Sequence, residues 1–310
     1  MSQDNNNNIH RTVFNWMRSG NQFTAIGHTE AQLPPGLHHA QTDNYDRPQF
    51  VHVPLREELA FEFDDSIMKT VMDAIRVFHS RADRYKKMGI AHRMGILMHG
   101  KQGTGKSVIG RLLVQLAAEK GGYGIIVGDL VDYQTAMGAL NEMHPSVPTI
   151  ALLEDIDELI ERRGEHMLLQ ILDGVEETRA GLVFVATTNH LEKLPPRIRQ
   201  RPGRFDLVIE VGPPDARIRE TYVKKLTEKF DNPPVKEIVA ASNDMTFAEI
   251  RAVAIGVMVF EKAPTAAGEE VRRLGKLEAG EEEDEDEDKE ETSSKPPKAA
   301  ASLDAVLAAN

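Results

Sequence analysis

The stretch Gly100-Lys101-Gln102-Gly103-Thr104-Gly105-Lys106-Ser107 decides how the chain is read. It has the form G-x-x-x-x-G-K-S, a loop whose backbone N–H groups can close round phosphate oxygens. Ile96, Leu97 and Met98 before it form a short apolar run, read as a buried strand, and Val108, Ile109, Leu112, Leu113 and Leu116 after it recur at helical spacing. Strand, glycine turn and helix are the context this loop needs, because the helix N-terminus adds partial positive charge. Gly100, Lys101, Gln102, Gly103, Thr104, Gly105, Lys106, Ser107 and Val108 are therefore candidate nucleotide contacts. Lys106 would reach the β- and γ-phosphates, and the Ser107 hydroxyl would ligate Mg2+. The competing reading is a chance glycine turn before an amphipathic helix, and the flanks weigh against it.

Further buried strands are expected at Ile125–Val127, Thr149–Leu153, Leu182–Ala186 and Leu207–Val211, with helical patterns between them. That alternation means an α/β fold with a parallel sheet. Upstream, Leu37–Gln41 and Phe50–Leu55 flank a turn-rich segment and read as a short hairpin, too small for its own core. Asp64-Asp65-Ser66 offers N-caps for one long helix reaching Met88-Gly89. Residues 1–30 are polar and aperiodic. After Pro213-Pro214 the strands stop and residues 215–229, 234–242 and 246–262 read as helices, the last with the capping box Thr246-x-x-Glu249, with a further helix expected over 264–278. The expected organisation is an N-terminal polar segment with a hairpin (1–60), an α/β nucleotide-binding domain with a P-loop parallel sheet (61–212), a small all-helical lid (213–278) and an acidic disordered tail (279–310).

The net charge of −12 is concentrated in that tail: residues 281–310 carry −8, leaving −4 for residues 1–280. No basic stripe advertises nucleic acid. The chain has no cysteine, so there is no disulfide framework, thiol nucleophile or zinc–thiolate site. No apolar run approaches a membrane span, and the Asn-rich N-terminus lacks the pattern of a signal peptide. A cytoplasmic protein is expected. His38-His39 and the other histidines show no paired-ligand spacing.

Three segments downstream of the loop narrow the chemistry. The apolar run Thr149–Leu153 delivers Glu154-Asp155-Ile156-Asp157 at its C-terminal end, as a Walker B strand does. If the usual register holds, Glu154 takes the Mg2+ side and Asp155 activates water. The alternative is a solvated acidic turn. Val183–Thr188 ends in Asn189, which at that sheet edge could hold the nucleophilic water or sense the γ-phosphate. Arg201 and Arg204 bracket a Pro-Gly turn, a way to present guanidinium to phosphate charge; the alternative is a local salt bridge.

In order and spacing these motifs resemble an AAA-family ATPase of the classical type, over about 60% of the chain from Ile67 to Val257. The Glu-Asp-Ile-Asp order is similar to that of the mitochondrial Rieske-protein translocase subgroup, and small soluble phage AAA proteins look similar too. The resemblance implies that Ala186–Asn189 is sensor 1 and that Arg201–Asp206 is the second region of homology. It also makes Gly89–Gly95, with Ile90, the adenine-side segment, and Thr246–Glu249 the lid segment, without a sensor 2 arginine. It implies ATP and Mg2+ as cofactors and a homo-oligomeric ring, a hexamer. In that ring Arg201 and Arg204 act on the neighbouring subunit's ATP, and hydrolysis drives remodelling or movement of a macromolecule, a protein in preference to nucleic acid. The departures are Lys101-Gln102 in place of Pro-Pro and the inverted Walker B pair. They leave open a slow-hydrolysing scaffold, and a nucleic-acid motor stays open beside it. Tyr133 falls near where related rings place a substrate-gripping aromatic; a half-buried structural tyrosine is the alternative. The tail could dock a basic partner.

Overall fold

The structure, a computed structural model, describes residues 15–19, 22–26, 33–44, 47–54, 66–173, 181–199 and 203–279. Among these, β1 (Asn15–Ser19) and β2 (Gln22–Ile26) pair as an antiparallel hairpin in a stretch whose sequence shows no periodicity. In Asn15–Ser19 the apolar Trp16 and Met17 are adjacent, so no two-residue alternation marks the strand. The Asp64-Asp65 cap, Arg201 and the acidic tail lie outside the described residues.

The body is a seven-stranded sheet built from β3 (Gly36–Thr42), β4 (Pro48–His52), β5 (Arg93–His99), β6 (Tyr123–Val127), β7 (Thr149–Leu153), β8 (Leu182–Thr188) and β9 (Leu207–Glu210). The spatial order is β4-β3-β6-β7-β8-β5-β9, parallel except for the β3–β4 hairpin. That hairpin extends the sheet at one edge, with β3 alongside β6. The expected strands are all present, and β8 runs on through Thr187 and Thr188.

Helices cover both faces. One carries α1 (Ser66–Ser80) and α3 (Lys106–Glu119), which enclose Ile96, Met98, Val183 and Val185. The other carries α4 (Leu130–Met143), α5 (Ile156–Arg163) and α6 (Glu165–Asp173) over Leu97, Phe184 and Ala186. Successive strand residues thus enter opposite cores, which is why the strands read as continuous apolar runs rather than alternating ones. The single long helix expected to Met88 is broken: α1 ends at Ser80, Arg81 leaves helical geometry, and α2 (Ala82–Met88) follows. Gly89 closes α2 in the left-handed conformation that suits glycine.

Beyond a short α7 (Pro196–Arg199) and β9, the C-terminal part is helical: α8 (Ala216–Leu226), α9 (Val235–Ala241), α10 (Phe247–Met258) and α11 (Pro264–Ala279). Val223, Ile238, Ile250 and Val253 form its separate core. The Thr246–Glu249 capping box is made in both directions, so α10 starts at a fixed point facing the glycine loop.

Candidate nucleotide-binding site

The loop after β5 is shaped by close approaches that only glycine allows. At Gly100 (φ 145) a Cβ would lie 2.3 Å from the Val211 carbonyl oxygen, and at Gly103 (φ 80) it would lie 2.7 Å from the Ala248 Cβ. The loop is therefore wedged between β9 and the lid. Lys101, where the family has proline, bridges to Glu249 of α10 at 3.0 Å, and the Thr104 hydroxyl donates to the Lys101 carbonyl at 2.9 Å.

Lys106 opens α3 with its ammonium folded back over the loop. It donates to the carbonyls of Gly100 and Lys101 at 2.8 and 3.0 Å and to Asn189 Oδ1 at 2.7 Å. Asn189 Nδ2 in turn donates to Asp155 Oδ1 at 3.2 Å. Loop lysine, strand-end amide and strand-end carboxylate thus form one chain across the carboxyl ends of β5, β8 and β7. Burial lowers the Lys106 pKa, against the pull of Asp155 and Asp157. Burial raises the Asp155 carboxyl, and the neighbouring Glu158, Asp157 and Glu154 add to the rise while Lys106 opposes it. Burial thus disfavours the charged form of both groups, the condition in which an added counter-charge is most welcome.

This chain opens on a cleft of about 700 Å³ between the sheet edge and the lid, lined by Ser107, Val108 and Asp155 on one side and by Tyr222, Lys225, Phe247 and Arg251 on the other. A smaller cleft of about 240 Å³ adjoins it, with Ile67, Val211, Pro214, Ile218 and Phe247 around it. Lys106, Lys225, Lys229 and Arg251 outnumber Asp155 and Glu228 in the main cleft, and the smaller one has Ile67, Ile109 and Ile218 beside Thr104 and Asp215. The donor set fits a polyphosphate carrying a flat ring. Ser107 and the Walker B carboxylates supply the oxygens a hard cation takes. Among the described residues there is no cluster of three or more His, Cys, Asp or Glu that could hold a metal ion.

Asp155 lines the cleft, whereas Glu154 turns against α3, where both its oxygens lie 3.3 Å from Arg111. Arg111 is one helical turn beyond Ser107 on α3.

Three expectations need correction. Ile90 is half exposed and precedes β5, while the loop follows it; the seven residues of the strand separate the two, a span of about 20 Å. Ile67, at the start of α1, lines the smaller cleft instead. Tyr133 is 2% exposed, in the core under α4 and near Phe184, so it grips no substrate. Arg204 is 4% exposed and pairs bidentately with Asp173 at 2.7 and 2.8 Å while also donating to the Arg197 carbonyl, so it is not presented to a neighbour. The lid residues Tyr222, Lys225, Lys229 and Arg251 went unnoticed in the sequence. Their signal is an i, i+3, i+7 face running along and beyond α8, and Arg251 one turn after Phe247 on α10.

A sheet whose loop and strand-end carboxylate share one cleft defines the class: a P-loop ATPase fold. Residues 96–213 match the family model "ATPase family associated with various cellular activities (AAA)". Over these residues the chain is similar to AAA domains of the classical kind. The chain is 26% identical to the cell division cycle protein 48 homolog of Archaeoglobus fulgidus over 60% of its own length and 28% of the relative's. It is 34% identical to the probable mitochondrial chaperone bcs1 of Schizosaccharomyces pombe over 48% of its own length and 35% of the relative's. It is 25% identical to the proteasome-activating nucleotidase of Methanococcus maripaludis over 67% and 56%. The chain spans between 21% and 56% of the lengths of the first curated relatives it matches.

Proposed function

We propose that the chain is a Mg2+-dependent ATPase that works as a homo-oligomeric ring, a hexamer, and spends hydrolysis on remodelling a protein. The observation that carries the chemistry is the Lys106–Asn189–Asp155 chain opening on a cleft that the lid completes. Phosphates would lie along Lys106 and the N-terminus of α3, with the adenine in the smaller cleft against Ile67 and Ile218. Lys225 and Arg251 would meet the phosphates from the lid, so that its closure depends on nucleotide. Ser107 and Glu154 would hold Mg2+, which would supply charge neutralisation to the phosphates.

Asp155 takes the proton of the attacking water as the water oxygen bonds the γ-phosphorus and the bond to the β–γ bridging oxygen breaks, releasing ADP and phosphate. Its raised pKa suits a base of this kind. Asn189, bonded to both Lys106 and Asp155, sits where it orients that water. Arg201, outside the described residues, takes the role toward the neighbouring subunit's phosphate. A protein substrate is favoured by the near-neutral charge of residues 1–280 and by relatives named a chaperone and a proteasome-activating nucleotidase. Among the described residues no helix is long and apolar enough to cross a membrane.

Phosphate release measured with and without Mg2+, beside mass photometry with and without ATP, tests the reading. Mg2+-dependent release with an ATP-favoured particle of about six chains is expected. Turnover by a strict monomer rules out the ring, and no turnover rules out the enzyme.

A further inference from the structure

We propose that Thr187 is a positioning residue: its hydroxyl holds the turn that aims the Asp155 carboxylate into the cleft. The role rests on the ATPase reading above. In the sheet, Leu153 ends β7 opposite Ala186, while β8 continues through Thr187 and Thr188. These two threonines overhang the point where β7 gives way to α5, and each clasps it. The Asp155 backbone N–H donates to Thr187 Oγ1 at 3.1 Å, and Thr188 Oγ1 donates to Asp157 Oδ1 at 2.7 Å.

The chain contains its own comparison. Asp129, Asp155 and Asp215 each occupy the residue before a helix. Asp129 (φ −148, ψ 145) and Asp215 (φ −66, ψ 173) are extended, and each spends its carboxylate on the helix, accepting from Val131 N and Ile218 N at 2.8 Å. That is the ordinary behaviour of an N-capping aspartate. Asp155 stands in the left-handed region (φ 48, ψ 60) and makes no capping bond. Its carboxylate goes instead to Asn189 and the cleft. Left-handed backbone is disfavoured for an L-residue, although aspartate tolerates it better than most. Something must hold it, and the Thr187 hydroxyl is the group bonded to that N–H.

The arrangement also answers the inverted Walker B order. An aspartate at the water-activating position is one methylene shorter than glutamate. A turn that rotates the whole residue toward the cleft offsets the lost reach. Thr187 is 1% exposed, so bulk water cannot replace its hydroxyl. Without that bond, Asp155 is expected to relax toward the extended, capping geometry of Asp129 and Asp215, withdrawing its carboxylate onto α5.

The test compares Thr187→Val, which keeps the shape and removes the acceptor, with Thr187→Ser, which keeps the acceptor. Thr187→Val should lower kcat about 10- to 100-fold, the scale of an ångström's misplacement. Its KM for ATP should stay within about twofold and its Tm within a few degrees, because neither phosphate contacts nor core volume change. Thr187→Ser should recover most of the turnover. Wild-type kcat in Thr187→Val, or a Thr187→Ser as slow as Thr187→Val, overturns the role. Should Thr187→Val fail to fold, Thr187→Ala replaces it, and equal turnover in the alanine and serine variants overturns the role as well. A wild type that turns over no ATP overturns the ATPase reading and this role with it. A working wild type matched by Thr187→Val overturns this role alone.

Discussion

The Lys106 cluster and the Arg204 turn are both charged groups beside strand ends, and they differ in what closes them. Lys106 is satisfied by two backbone carbonyls and an amide, none of them a countercharge, and faces a cleft. Arg204 is satisfied by a bidentate carboxylate and lies shut away beneath the turn. Burial with only neutral partners leaves an ion that gains from a ligand of opposite charge; burial against a matched counterion leaves one whose loss is felt by the fold. Motif spacing treats the two alike, and packing separates them.

The contrast can be broken by mutation. Lys106→Ala should lower turnover by about 10²–10³-fold or more, the scale of losing one preorganised phosphate donor. Its thermal stability should barely move, because a desolvated charge is removed. Calorimetry beside a phosphate-release assay reads both. Arg204→Ala should do the reverse: it leaves Asp173 unpaired and costs about 2–3 kcal/mol, and turnover should fall only as far as the folded fraction does. An Arg204→Ala protein with unchanged Tm and lost turnover would show that this arginine leaves Asp173 for a ligand, and the contrast would fail.

Smaller effects sharpen the comparison. Thr246→Ala removes one arm of the α10 capping box and should cost about 1 kcal/mol by denaturant unfolding, with ATP affinity weakened because the placement of Phe247 and Arg251 depends on that start point. Asp155 gives a pH signature. Its carboxyl is raised in the folded protein, so the fold holds that proton more tightly than the unfolded chain, and stability is lost as pH rises through the folded value. Asp155→Asn should therefore be slightly more stable than wild type at pH 7 without nucleotide. The difference should vanish as pH falls below the ordinary aspartate value of about 3.9. Equal stability of the two proteins across that range would mean that the carboxylate is not desolvated.

The sheet strands and the loop were legible because each leaves a local mark: an apolar run buried on both faces, a glycine spacing, a capping box. The lid's share of the cleft was not. Tyr222, Lys225 and Arg251 sit on ordinary amphipathic helices, and only the docking of Thr246 and Ala248 against Gly103 makes their exposed side the wall of a site. Ile90 was misplaced for a related reason: a position near the loop in sequence lies at the far end of β5, while Ile67, over thirty residues upstream, lines the smaller cleft. Tyr133 and Arg204 show that a polar tip or a charge does not declare its direction until its neighbours are known. Register alone orders the Walker B pair in the sequence, and it is Asp155 that lines the cleft.

That assignment is the centre of the account, and exchanging the two carboxylates tests it most directly. Nucleotide binding and phosphate release are measured for Asp155→Asn and Glu154→Gln at several Mg2+ concentrations. Asp155→Asn should bind ATP with Mg2+ as wild type does and lose turnover about 10²–10⁴-fold, the share of a general base. Glu154→Gln should keep measurable turnover but require more Mg2+. An active Asp155→Asn beside a stalled, ATP-loaded Glu154→Gln would contradict the account and exchange the roles.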